Sequence, residues 1–123
     1  RHESWFTDNA LNYFKQKKHC LVWNVVEGVN NPFPITSDYL YLRLIGDRSI
    51  SDKQFGAVRK NKSDFIKKWA QKLIGISDIP LAMVMANNHF EGFGPATANT
   101  LGENLGRREL MWESKKQKTI GNF

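Results

Sequence analysis

The chain has 123 residues, a formal net charge of +6 and one cysteine. That length suits one small globular domain, and no apolar run approaches the roughly 20 residues that a membrane-spanning helix needs. No secretory pattern opens the sequence. Cys20 lies in an apolar segment, so we expect a buried thiol, no disulfide and a cytoplasmic location.

The basic residues are concentrated in two stretches. One stretch carries Lys53, Arg59, Lys60, Lys62, Lys67, Lys68 and Lys72, and the other carries Arg107, Arg108, Lys115, Lys116 and Lys118. Clustered positive charge favours phosphate-bearing partners, nucleic acid among them. It is more often the mark of a solvated helix face followed by a disordered tail. Charge alone leaves both interpretations open.

The first half of the chain predicts a helix followed by two strands. Thr7 or Asp8 can cap a helix that carries Leu11 and Phe14. Residues 20–26 and 39–46 are short, apolar and rich in strand-forming side chains, and the loop between them contains Pro32 and Pro34.

Alternation in the second strand separates two faces. Leu40, Leu42 and Leu44 fall on one face and are expected to be buried. Tyr39, Tyr41, Arg43 and Ile45 fall on the other face. An arginine inside a strand is costly unless it has a partner or lines a wet cavity, so Arg43 is the most informative single charge. A structural ion pair is the alternative.

Residues 49–62 are polar and predict a loop with a little helix. Ser63 is then expected to cap an amphipathic helix, and Gly75 is expected to end that helix in the left-handed conformation. The apolar stripe of this helix makes Trp69 a core residue; it comprises Phe65, Ile66, Trp69, Ala70, Leu73 and Ile74.

Residues 81–86 are six consecutive apolar residues, which predict a strand buried on both faces. A polar cluster, a glycine-spaced loop and a proline follow, and Pro95 is expected to start a helix that stops at Gly106. In α/β folds this order is typical of a binding site at the carboxyl end of a strand. The alternative is a strand-to-helix turn with polar side chains in water.

These elements predict right-handed βαβ units and a parallel sheet. A sheet of three strands with two open edges indicates that the chain is part of a larger structure. Leu110, Met111 and Trp112 are expected to be a last apolar anchor, so we divide the chain into a domain over residues 1–112 and a basic, flexible tail over residues 113–123.

Three blocks of sequence resemble the YecE-like family (domain of unknown function 72). They span residues 1–6 (RHESWF), 41–48 (YLRLIGDR) and 86–97 (ANNHFEGFGPAT). The resemblance implies the carboxyl-terminal half of a TIM-like (β/α) barrel with parallel strands, which would explain the open edges. Many relatives carry a histidine where Ile45 stands, so we expect no role here that depends on that histidine.

In such a barrel the functional face lies at the carboxyl ends of the strands. We predict His89, Glu91 and His2 as catalytic acid–base residues. The predicted ligand-binding residues are Arg1, Asn24, Tyr41, Arg43, Asp47, Arg48, Asn87, Asn88, Gly92 and Gly94. Arginine forks and the backbone N–H groups of the glycine loop suit a phosphate. Trp5, Phe6, Phe90 and Phe93 are candidates to stack on bases, or simply to close the barrel mouth.

No metal is predicted, because His2, Asp47, His89 and Glu91 lack a short ligand spacing. The cofactor is unknown, and whether the protein is an enzyme is open. We carry three hypotheses. The barrel mouth binds, or hydrolyses, a phosphate-containing ligand such as nucleic acid. Alternatively, the chain is a non-catalytic nucleic-acid-binding module, or a structural half that complements an amino-terminal half or a second chain.

Overall fold

A computed structural model describes residues 2–26 and 28–108 as a mixed α/β fold. Its parallel sheet has the strand order β1 (Trp23–Val26), β2 (Tyr39–Gly46) and β3 (Leu81–Ala86). The predicted strands and their parallel arrangement are therefore confirmed. Because both pairs of neighbouring strands are parallel, the carboxyl ends of all three strands lie along one margin, which we call the carboxyl edge.

In the part of the chain that the structure describes, four helices accompany the sheet: α1 (Asp8–Gln16), α2 (Ser63–Ile74), α3 (Asn88–Glu91) and α4 (Gly94–Asn104). Two 3-10 turns cover Glu3–Phe6 and Asp52–Gln54, the second of them inside the segment predicted to contain a little helix. The sequence predicts α1, α2 and α4. The one-turn helix α3, directly after β3, is a feature that periodicity did not reveal.

The helix ends show two corrections. Ser63 does not cap α2, because the helix begins at Ser63 itself and follows Lys62, which makes no capping bond with its side chain. Gly75 is right-handed, with φ of −71°, so its predicted left-handed conformation is wrong. Thr7 does cap α1 by accepting the N–H of Ala10, and Gly106 after α4 is left-handed, with φ of +70°.

The core lies between one face of the sheet and helices α2 and α4. Leu42 and Leu44 are fully buried there, and Leu40 is nearly so, which confirms the alternation in β2. They contact a cluster that includes Ile66, Trp69, Ala70, Phe90 and Leu101. Full burial of one such side chain contributes about 1.5–3 kcal/mol, so this face holds the described domain together.

The opposite face of the sheet is open along β3 and at the start of β2. In β3, Leu81, Met83 and Met85 are 53%, 43% and 57% exposed, and Tyr39 in β2 is 38% exposed. The prediction that β3 is buried on both faces is therefore wrong for the described residues. The apolar run does form the predicted strand, but Leu81, Met83 and Met85 remain in contact with solvent.

Cys20 is half-buried and forms no disulfide. None of the helices in the described ranges is long and apolar enough to cross a membrane. Arg1, the apolar anchor at residues 110–112 and the tail at residues 113–123 lie outside the described residues.

Candidate functional site

Arg43 and Asn24 are neighbours on the open face. The strand register pairs Asn24 of β1 with Arg43 of β2 and pairs Arg43 with Met85 of β3, while Tyr41 lies on the same face two residues earlier. Within the described chain the Arg43 guanidinium makes no hydrogen bond or ion pair. Asn24 Nδ2 donates to Val22 O at 3.3 Å, whereas Asn24 Oδ1 is buried and accepts no hydrogen bond from the described residues. A positive charge and an unsatisfied acceptor thus lie side by side.

A tight turn follows β2 at Gly46, Asp47 and Arg48. Gly46 has φ of +85°, and a Cβ there would lie 2.3 Å from the carbonyl oxygen of His89. Only glycine therefore lets the end of β2 approach α3 this closely. Arg48 is exposed and also left-handed, with φ of +61°, an uncommon conformation for a residue with a side chain.

The Asp47 carboxylate stabilises this turn through hydrogen bonds. Its carboxylate accepts Lys60 Nζ at 2.6 Å, the Ser49 hydroxyl at 2.6 Å and the Ser49 N–H at 3.0 Å. The hydrogen bonds from Lys60 and then from Ser49 hold the pKa of the Asp47 carboxyl well below its usual value. Asp47 is therefore ionised and neutralised by Lys60, whereas Arg48 makes no ion pair with any described residue.

Among the described residues, a smaller and a larger cavity open at the carboxyl edge. One, of about 430 Å³, lies beside the turn and is lined by Val26, Gly28, Ile45, Gly46, Asp47, Arg48 and Ser49. The other, of about 660 Å³, lies between the end of β1 and the start of α2, and Phe65 and Phe90 form part of its wall. Of the predicted residues, the larger cavity includes Phe90, whereas the smaller one includes Asp47 and Arg48.

The polar residues after β3 bond mainly to their own segment. Asn87 Oδ1 accepts the His89 N–H at 2.9 Å and so caps α3. Asn88 Oδ1 accepts the Gly94 N–H at 2.8 Å, and the Asn88 carbonyl accepts the Gly92 N–H at 2.7 Å. Both glycine amides that we expected to face a phosphate therefore donate within the chain.

The two glycines allow close packing instead. A Cβ at Gly92 would lie 2.3 Å from Ala57 O, and a Cβ at Gly94 would lie 2.6 Å from Ala86 O. Contacts that short are impossible, so any larger residue would push these segments apart. Their binding role stays a prediction, while the contacts themselves account for both glycines.

The three residues predicted to be catalytic occupy separate environments. Glu91 is 4% exposed, and its carboxylate accepts the Lys62 N–H at 2.8 Å and the Thr97 hydroxyl at 2.7 Å. His2 is exposed in the amino-terminal turn, where its Nδ1 accepts the Ser4 N–H. Among the described residues, no hydrogen bond joins these side chains to each other or to His89.

His89 reaches the segment that follows β2. Its Nδ1 lies 3.1 Å from the Ile50 carbonyl oxygen, which can only accept, so Nδ1 carries the proton. Nε2 lies 3.7 Å from an oxygen of Asp52, and the ring packs edge-on against Phe55. His89 is therefore oriented by the protein, with Nε2 as the nitrogen free to exchange a proton in the neutral form.

Sequence reasoning missed three residues that shape this region: Lys60, Ser49 and Thr97. Lys60 was one cation in a cluster, and nothing local links it to Asp47, thirteen residues earlier. Within residues 2–26 and 28–108, no three His, Cys, Asp or Glu side chains come together as metal ligands. Phe90, a candidate for base stacking, is only 1% exposed and belongs to the core.

Comparison with known proteins gives one match. No curated protein and no solved structure shows significant similarity to the chain. The model of the family described as "Protein of unknown function DUF72" matches residues 1–120, nearly the whole sequence. The match agrees with the three blocks of sequence quoted above, two of which supply the turn after β2 and the segment after β3. This chain therefore belongs to the DUF72 family of proteins of unknown function.

Proposed function

We propose that the carboxyl edge binds a phosphate-bearing ligand through Arg43 and Arg48. The observation that carries this proposal is the Arg43 guanidinium, which lies in the middle of a sheet without an ion pair among the described residues. Leaving a half-buried charge without a partner is unfavourable, so an anionic ligand is a natural partner. The planar guanidinium fork matches phosphate oxygens in geometry and charge.

The surrounding charges favour the same ligand. Lys60 neutralises Asp47, so this carboxylate does not repel an anion near Arg48. The unsatisfied Asn24 Oδ1 can accept a hydrogen bond from a hydroxyl or amino group of the ligand. A sugar phosphate, a nucleotide or a short stretch of nucleic acid offers both features, and the net charge of +6 assists the approach of any of them.

Hydrolysis of the ligand is the enzymatic form of this proposal, with His89 Nε2 as the proton-transfer group. Turnover of single-stranded or damaged DNA, measured with and without divalent metal, separates hydrolysis from simple binding. Absence of turnover in both conditions, together with tight binding, would favour the non-catalytic module.

Binding is tested by titrating a nucleoside monophosphate and short single-stranded DNA and RNA across a salt series. We expect affinity to fall as salt rises, and Arg43→Gln to weaken binding by about tenfold or more, as loss of a charge-assisted hydrogen bond does. Arg107→Gln is the matched control, because it removes an exposed charge outside the turn and the open face. Equal binding by both variants, or affinity that does not respond to salt, would exclude phosphate recognition here.

The open face favours a second candidate, a structural role. Three large apolar side chains of β3 are more than 40% exposed there, and no strand of the described residues pairs with the outer edges of β1 and β3. We propose that the amino-terminal half of a TIM-like (β/α) barrel, from the same polypeptide or a second chain, covers this face. Light scattering on the chain alone tests this structural role. A monodisperse monomer would contradict the proposal that another segment packs on the open face.

A further inference from the structure

We propose that Lys60 and Glu91 are positioning residues that hold Arg48 in place at the carboxyl edge. The inference rests on the proposed function, because it assigns Arg48 to a phosphate, but its structural part can be measured without any ligand. It arises from a continuous series of hydrogen bonds that runs from the turn after β2 to the interior of the domain.

The first link fixes both neighbours of Arg48. Asp47 precedes it and Ser49 follows it, and the Asp47 carboxylate accepts both the N–H and the hydroxyl of Ser49. Lys60 Nζ binds the other oxygen of the same carboxylate at 2.6 Å. The backbone of Arg48 is thereby held between two residues that share one carboxylate.

The second link ties Lys60 to the segment after β3. The carbonyl oxygen of Glu91 accepts the N–H groups of Arg59 at 2.6 Å and Lys60 at 3.1 Å. The carbonyl oxygen of Gly92 accepts the Gly56 N–H at 3.1 Å. The irregular segment of residues 56–60 is thus held by backbone hydrogen bonds to Glu91 and Gly92.

The third link anchors that segment in the interior. The Glu91 carboxylate is buried between the start of α2 and α4, where it accepts the Lys62 N–H and the Thr97 hydroxyl. Loss of either donor would leave a buried side-chain oxygen without a hydrogen-bond partner, which is costly. Glu91 therefore serves as the fixed end of the series.

Arg48 needs such support. Its φ of +61° is unfavourable for a residue with a side chain, so an isolated turn would relax to another conformation. Strained residues persist only where their surroundings over-determine them, and they are concentrated at ligand sites. Here the surroundings are Asp47, Lys60 and Glu91, none of which needs to touch the ligand.

Trypsin cleavage after Arg48, followed by mass spectrometry, reports the turn directly, with cleavage after Lys68 in α2 as the internal reference. We expect Lys60→Met to accelerate cleavage after Arg48 by about tenfold, since local opening controls access to the bond, and to leave the reference unchanged. Lys60→Arg should restore protection. Lys67→Met, an exposed lysine of α2, is the matched control and should behave as the wild type.

Binding of a nucleoside monophosphate completes the test. Lys60→Met and Glu91→Gln should weaken it, and Lys60→Arg should recover it. Equal cleavage in Lys60→Met and Lys67→Met would overturn the inference, as would faster cleavage with unchanged binding. If the wild type binds no phosphate probe while Lys60→Met still accelerates cleavage after Arg48, the proposed function fails and the control of the turn by Lys60 stands.

Discussion

Gly46 offers the sharpest test of how the turn is built. Substitution by alanine introduces two separate penalties. The left-handed φ of +85° costs an L-residue about 1–2 kcal/mol. The new Cβ would also lie within 2.3–2.8 Å of three backbone atoms of His89 and Phe90, and forcing extra atoms into a packed region costs about 1–3 kcal/mol more.

Gly28 separates the two penalties. Its φ of +78° is nearly the same as that of Gly46, yet a Cβ there would meet nothing within 4 Å. We therefore expect Gly28→Ala to lose about 1–2 kcal/mol of unfolding free energy and Gly46→Ala about 2–5 kcal/mol. Urea unfolding followed by circular dichroism and tryptophan fluorescence measures both.

The difference in unfolding free energy between Gly46→Ala and Gly28→Ala measures the cost of the close contact alone. It should be at least about 1 kcal/mol, because only Gly46 faces backbone that cannot yield as a flexible side chain can. If the variants lose equal stability, the close approach of β2 to α3 does not exist in solution. Gly46 would then not be required by a close contact with His89.

Three further measurements probe other parts of the fold. Lys72 lies 4.5–5.2 Å from the ring centroids of Trp23, Phe33 and Trp69, so in thermal unfolding Lys72→Met should cost about 0.5–2 kcal/mol and Lys72→Arg should cost less. Leu42→Ala should cost about 2–5 kcal/mol in urea unfolding, because the side chain is fully buried. The pKa of Asp47 is lower in the folded chain than in the unfolded chain. As pH falls, the unfolded chain therefore takes up this proton first, and the stabilisation that Asp47 provides is lost. In urea unfolding as a function of pH, the stability difference between wild type and Asp47→Asn should therefore be constant above about pH 5 and shrink as pH falls below 4.

The parts of the fold that depend on local pattern were predictable. Alternation in residues 39–46 identified the buried face of β2, and helical spacing identified Trp69 as core. Thr7 capped its helix because capping depends on a side chain within three residues of its target. The prediction for Gly75 was wrong because a glycine after a helix is often left-handed but need not be. Gly75 continues the right-handed conformation of α2.

The candidate site was less predictable because its bonds join distant segments. Glu91 looked like an acid–base residue, since a carboxylate beside a histidine suggests catalysis. Its partner, the Lys62 N–H, is 29 residues away in sequence, and no periodicity reveals such a contact. Arg43 was easier to single out, because a charge within an alternating strand conflicts with its surroundings, and such conflicts mark functional positions.

The open face allows a last prediction about association. If the exposed side chains of Leu81, Met83 and Met85 form an apolar contact surface, copies of the isolated chain should associate through it. Light scattering should then give a mass above the 14.2 kDa of one chain. Met83→Lys places a charge in the middle of the face and should shift the protein towards monomer. Val58→Lys is the control, because Val58 is similarly exposed, at 50%, but lies outside the sheet. Equal masses for the two variants would show that association does not use this face, since a buried lysine without a partner cannot be accommodated at an apolar contact.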